Sequence, residues 1–308
     1  MKKLNPYEYL EFEVDEDNIK SRRYLEKQNI SSRLVKKACR ESNVYINGKR
    51  VYKNMDLKKG DSIAIKFPEE SYNGLGQTKD IKIIYEDNDL IIVDKEANMV
   101  THTDKDDLKD TLLNYMIGYF QENNIKRKVR FVNRLDRDTS GLIIIAKNSF
   151  AHAKLAEEFE NNEVVKTYVA LCRGDFKEKE GEIIKPIARS DDGIKREINI
   201  ETGKYARTKY EVIKDLKKIS LVYLRLYTGR THQIRVHMAS IGHPIIADTL
   251  YNYKEEDNKL LNRQALHSYS LKFKLPRTGE QIVVKSRIPS DFIDLLREYS
   301  WILKRIIV

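Results

Sequence analysis

Cysteine, long apolar runs and metal-binding patterns are scarce or missing from this chain, and each absence narrows what the protein can be. There are two cysteines among 308 residues, Cys39 and Cys172. They lie far apart and form no C-x-x-C pair, so a disulfide framework or a dithiol redox centre lacks its residues. Both are expected to be buried free thiols. No apolar run approaches the roughly 18 residues that cross a bilayer. The opening MKKLNPYEYLEFE has no apolar signal core. A membrane or secreted protein is therefore set aside and a cytoplasmic one expected. No H-E-x-x-H and no Cys/His cluster occurs, and His232 and His237, five apart, do not share a helix face. No metal site is expected.

What is present is a charged, globular composition. Apolar residues make up 41% and charged residues 34%, a balance that supports a substantial core in one large domain or two. The formal net charge of +10 suggests a polyanionic partner. Residues 1–19 hold two lysines against six acids, whereas residues 20–66 hold 14 Lys/Arg against four acids. A basic block on a nearly balanced body reads as a nucleic-acid-binding module attached to something else. A lysine-rich genome would raise lysine everywhere, and this excess is local.

In chain order, Arg22 to Leu25 open a first helix, and Ser31 caps a second over residues 32–41. Arg33, Lys36, Lys37 and Arg40 recur at i, i+3, i+4 and i+7 along one face, with Leu34, Val35 and Ala38 turned inward. Residues 44–51 are a hairpin around Asn47-Gly48. A cationic stripe beside a hairpin suits a phosphate backbone, although a merely solvated face reads the same way. Residues 68–76 hold turn formers without periodicity. The expected organisation is an N-terminal module at 1–68, a linker at 69–78 and a second domain at 79–308. In that domain residues 81–85 and 90–93 read as strands. Leu112, Leu113, Met116, Tyr119 and Phe120 form a helix stripe capped by Asp110 or Thr111. A helix at residues 149–160 and a strand at 166–171 follow. Residues 203–212 and 221–227 alternate like a hairpin, and a short helix carrying Ile234, Met238 and Ile241 stops at Gly242.

The most informative stretch is residues 131–148, FVNRLDRDTSGLIIIAKN. Residues 142–146 are a β-branched apolar run that reads as a buried strand. Ahead of it, Arg134, Asp136, Arg137, Asp138, Thr139 and Ser140 crowd charges and hydroxyls onto a loop that such a strand would hold rigid. A lone R-L-D tripeptide is an ordinary polar turn. The whole string, N-R-L-D-x-x-T-S-G before an apolar run and A-K, closely resembles the active-site signature of the RluA-type RNA pseudouridine synthases. K-T-Y-V-A around Tyr168 resembles that family's second motif, and T-G-R-T-H-Q-I-R-V-H at 228–237 its third. Ala247-Asp248-Thr249-Leu250-Tyr251 and Leu266-His267 fit weaker patterns, and the basic block resembles the S4 RNA-binding domain that precedes many such catalytic domains. The likeness runs from about residue 15 to 295. Two departures stand out: Lys95-Glu96-Ala97-Asn98 where the family usually shows Lys-Pro-Ala-Gly, and Asn133 where it commonly has His. Asn98 can take the left-handed conformation of a Gly, but the missing Pro bears on the loop's rigidity.

The resemblance implies an α+β catalytic domain with a mixed, largely antiparallel sheet and flanking helices, preceded by a small S4-type α/β RNA-binding domain. It implies isomerisation of uridine in structured RNA, ribosomal RNA foremost and transfer RNA as the alternative, by a monomer. Asp136 takes the place of the catalytic carboxylate, Arg235 of the basic residue paired with it, and Tyr168 of the active-site tyrosine. Arg134 matches the residue that fills the space left by the flipped base. Arg230 and His232 are expected to contact phosphate or brace the loop, and Arg33, Lys36, Lys37 and Arg40 to bind RNA. The reaction breaks N1–C1′, turns the base and joins C5 to C1′ without redox change or net hydrolysis, so no cofactor or metal is expected. Whether the carboxylate attacks C1′, attacks the base or takes a sugar proton stays open. A non-catalytic RNA-binding or assembly factor on the same fold is the competing class. A nuclease or glycosidase would need a second carboxylate, for which Asp138 is the nearest candidate.

Overall fold

A computed structural model describes residues 4–28, 30–102, 109–251 and 260–306. The N-terminal part contains β1 (Tyr9–Glu13), β2 (Ile19–Lys20), α1 (Ser21–Lys27), α2 (Ser32–Arg40), β3 (Val44–Ile46), β4 (Lys49–Val51), β5 (Asp56–Leu57) and β6 (Ser62–Lys66). An antiparallel sheet in the order β1-β6-β3-β4 lies with the two helices over a separate core of Leu10, Leu25, Val35, Leu57, Ile63 and Ile65. The alternation of Y-L-E-F-E, unassigned from sequence, is the edge strand β1. Ser31 caps α2 by accepting from the Leu34 amide at 3.3 Å, and Leu34, Val35 and Ala38 are buried. Asn47 and Gly48 both have positive φ, 51° and 76°, the turn that the right-handed twist of a two-residue hairpin demands. One expectation fails. Cys172 is buried, but Cys39 is exposed, because it stands beside Arg40 on the face of α2 turned away from those apolar side chains.

The rest of the chain runs β7 (Ile83–Glu86), β8 (Leu90–Lys95), α3 (Leu112–Glu122), β9 (Arg130–Phe131), β10 (Ser140–Ala146), α4 (Ser149–Glu160) and β11 (Val165–Arg173). Then come β12 (Glu180–Ile184), β13 (Ile187–Arg189), β14 (Arg196–Ile198), β15 (Arg207–Asp215), β16 (Ile219–Leu226), α5 (Gln233–Ser240), β17 (Leu266–Lys274), β18 (Gln281–Lys285) and α6 (Ser290–Ile306). Ten strands form one mixed sheet in the order β12-β15-β16-β11-β17-β10-β8-β7, with β18 added to β17 and β9 to β10. Among the described residues its pairs are antiparallel apart from β10 with β17. Every residue of β10 is buried. Ile143 and Ile145 face the α3 side with Met116 and Phe120, whereas Leu142 and Ile144 face the α4 side with Leu155. Burial on both faces is why this segment reads as an unbroken apolar run. No helix among the described residues is long and apolar enough to cross a membrane.

Two junctions set the position of the loop ahead of β10. Gly141 (φ 113°) lies so close to β17 that a Cβ there would sit 2.3 Å from the Ser268 carbonyl oxygen, so only glycine allows the parallel contact. Below it, Lys95 is buried, and its ammonium donates to the carbonyls of Glu96, Met99 and Arg137 at 2.8, 2.9 and 3.0 Å. With Asn98 at φ 59° and the Met99 amide on the Arg137 carbonyl, this ties the 95–99 loop to the residue after Asp136 without a proline. The 69–78 segment also packs on the body. Glu70 pairs with Arg130 at 2.5 Å, and a Cβ on Gly118 of α3 would meet the Gln77 carbonyl oxygen at 2.2 Å.

Candidate active site

The loop from Asn133 to Thr139 turns back on itself through the Thr139 amide on the Asp136 carbonyl. Asn133, the departure from His, spans the loop and β10: its side chain donates to the Leu142 carbonyl at 3.2 Å and accepts from the Ile144 amide at 2.8 Å. Thr139 and Ser140 are buried and tied from below, Thr139 by Gln264 at 2.6 Å and Ser140 to His267 Nδ1 at 2.8 Å. Leu135 points into the core, leaving Asp136 half-buried on the wall of a cleft of about 460 Å³. That volume suits a small ligand.

Asp136 meets the T-G-R-T-H-Q-I-R segment across the cleft. Its Oδ2 lies 3.1 Å from Arg235 Nη1 and 3.7 Å from His232 Nε2, and Oδ1 has no partner among the described residues. Arg235, almost wholly buried, is held from behind by Asp248, which accepts from Nε at 2.7 Å and from Nη2 at 2.8 Å. This two-pronged clamp fixes the guanidinium plane and spares its third nitrogen for Asp136. Burial opposes the Arg235 charge, but the carboxylates of Asp248 and Asp136 outweigh it and raise its pKa. His232 caps α5 in a left-handed conformation (φ 57°), which is uncommon outside glycine. Gln233 secures that turn by accepting from Thr228 and from the Arg230 amide and donating to the Arg207 carbonyl and Thr208. His232 Nδ1 lies 2.9 Å from the Tyr251 hydroxyl. Burial lowers the His232 pKa in spite of the neighbouring Asp136 carboxylate.

Tyr168 lines the same cleft from β11. The register of β11 against β17 slips between Thr167 and Tyr168, a bulge of the kind that re-aims a side chain beside a site. Burial pushes its phenol up to about 12, with Asp136 adding to the shift and a Ser268 hydrogen bond opposing it.

Of the residues marked from sequence, Arg134, Asp136, Tyr168, Arg230, His232 and Arg235 come together around this cleft. Arg134 is exposed and makes no hydrogen bond or ion pair among the described residues. Arg230 bonds the Tyr205 carbonyl at 3.0 Å. Arg33, Lys36, Lys37 and Arg40 line the exposed face of α2 and take no part in the cleft. Asp138 is absent from the cleft wall and pairs with Arg137 at 3.7 Å, so it does not supply the second carboxylate that a hydrolase would use; the other acid on that wall is Glu160, at the end of α4. Sequence reasoning assigned no role to Asp248 or Gln233. The signal for Asp248 was an acid inside an otherwise apolar-flanked A-D-T-L-Y, and only the fold shows that it faces Arg235.

The model of the RNA pseudouridylate synthase family matches residues 89–240, which include all six cleft residues named above. The chain is 40% identical over 259 residues to an uncharacterized RNA pseudouridine synthase, YhcT, of Bacillus subtilis, covering 83% of this chain and 85% of the relative. It is 31% identical over 275 residues to the ribosomal large subunit pseudouridine synthase D of Yersinia pestis, covering 85% and 84%. Among solved structures, human RNA pseudouridylate synthase domain containing 1 superposes with a TM-score of 0.57 at 29% identity, over 69% of this chain and 85% of that one.

Proposed function

The chain belongs to the RNA pseudouridylate synthase family and is an RNA pseudouridine synthase, and we propose that Asp136 initiates the isomerisation. The observation that carries this is the Asp136 carboxylate resting on a guanidinium clamped by Asp248, with one oxygen unpartnered and Tyr168 beside it. Arg235 acts as the fixed counter-charge, so the carboxylate meets the nucleotide already oriented. Tyr168 stacks on the uracil as a neutral phenol, its hydroxyl placed to relay the proton that leaves C5. Arg134 fills the space the flipped nucleotide vacates, a role supported by its exposure and freedom from partners. His232 and Arg230 brace the third motif against the strand of phosphates.

Residues 1–68 act as an S4-like RNA-binding module and 79–308 as the catalytic domain, with 69–78 between them. The four α2 cations and the adjoining hairpin track the phosphate backbone. The likeness to large-subunit synthases of Yersinia pestis and Nitrosomonas europaea supports ribosomal RNA of the large subunit as the substrate, met in the cytoplasm by a monomer. The test is to map pseudouridine across cellular RNA with and without this gene. Sites in large-subunit ribosomal RNA should disappear with the gene and return on complementation. A map that does not change would overturn the assignment.

A further inference from the structure

Among the described residues, Lys166 is a buried cation without an anion. It stands on β11 two residues before Tyr168, lines the same cleft and is 6% exposed. No carboxylate, carbonyl or hydroxyl of the described residues forms an ion pair or hydrogen bond with it. Its ammonium instead lies over the ring of Phe159, 5.6 Å from the ring centroid. An ammonium held this way loses most of its hydration and recovers little from an aromatic face. Burial alone lowers its pKa, with no contribution from the Asp136 carboxylate. Lys95, another buried lysine, has three carbonyl acceptors. Lys166 has none. A leucine or methionine would pack better against Phe159, Leu226 and Leu271, so the position calls for an occupant that supplies negative charge.

The substrate supplies it. RNA carries one phosphate per nucleotide, and a lysine on a flexible stem meets phosphate as a point charge. We infer that Lys166 is a phosphate subsite inside the cleft, which receives a backbone phosphate flanking the target uridine when the base is bound against Tyr168. This rests on the proposed activity and adds a contact to it. Arg134 and Arg230 lie on the exposed rim and can hold RNA before the base flips. Lys166 is reached only after a nucleotide has entered, so its contact belongs to the flipped state and positions the sugar relative to Asp136.

The experiment pairs lysine with phosphate. Total cellular RNA treated with the wild-type chain identifies a modified uridine, and a stem-loop bearing it is synthesised with neutral methylphosphonates scanned around that position. Equilibrium binding is measured for wild type, Lys166→Met and Lys166→Arg. At one flanking phosphate, neutralisation should weaken wild type by about ten-fold and Lys166→Met hardly at all, with Lys166→Arg in between. Lys166→Met should also melt no lower than wild type, because it removes an unpaired buried charge. Penalties that multiply at every scanned phosphate would remove Lys166 from RNA recognition and leave the activity standing. Failure of the wild-type chain to modify any uridine would overturn the activity, and the subsite with it.

Discussion

Asp248 fixes the orientation of Arg235. A guanidinium facing one carboxylate can pivot, but Arg235 is gripped through Nε and Nη2 and offers only Nη1 forward. Asp248→Ala leaves a buried guanidinium with half its charge compensation, and breaking such a pair costs about 3–5 kcal/mol. Thermal or urea unfolding should register that loss, and turnover of any folded fraction should fall more than RNA affinity. Full stability together with full turnover would show that the clamp is dispensable. Tyr168 makes a different statement. With its phenol pushed up to about 12, it stays protonated from pH 6 to pH 9. Tyr168→Phe should therefore lower kcat by the same factor from pH 6 to pH 9, leaving the shape of the profile unchanged. Loss of a limb of that profile in the variant would mean that the phenol titrates where the structure says it does not.

At the scale of elements, the junction of β10 with β17 carries the Asp136 loop, and acid should weaken it. His267 on β17 is 1% exposed and paired through Nδ1 with Ser140 at the start of β10. Burial, the dominant cause, lowers its pKa from 6.5 to about 4. Its folded pKa is thus depressed, so the neutral ring contributes stability that is complete above pH 6.5 and lost as pH falls toward 4. The melting temperature of wild type should drop across that window, and His267→Asn should flatten the drop. An unchanged slope in the variant would assign the acid sensitivity to other groups. Much of this element was legible in the residues. The β-branched run announced β10, and the helices at 32 and 112 start where Ser31 and Thr111 cap them. The Asn-Gly hairpin followed from turn chemistry alone. What could not be read were contacts made by backbone proximity or by distant pairing. Gly141 touching Ser268, the bulge at Tyr168 and Lys95 bridging to the Arg137 carbonyl each depend on strands brought together by the whole sheet. The strand expected at 203–212 starts later, at Arg207, because the preceding residues loop under β13 through Lys204 and Ile187.

Across the whole molecule, the N-terminal module is fixed to the catalytic body. Phe150, in the first turn of α4, inserts into the module's core, while Phe159 and Glu160 at the other end of that helix line the cleft. Arg277 adds a second fastening: it grips buried Asp89 through two nitrogens and donates to the carbonyls of Tyr9 and Pro6. Arg277→Ala should destabilise by roughly 2–4 kcal/mol, less than the full cost of a broken buried pair because Asn148 still donates to Asp89. It should also weaken RNA binding and flatten its dependence on salt as the module loosens. An unchanged salt slope would place the RNA on the catalytic body alone. The proposed role of Asp136 is tested most directly by single-turnover pseudouridine formation by Asp136→Asn on a stem-loop that wild type modifies. Asp136→Asn should give no detectable isomerisation, with RNA affinity within a few-fold of wild type. Pseudouridine formed at near wild-type rate would contradict that role.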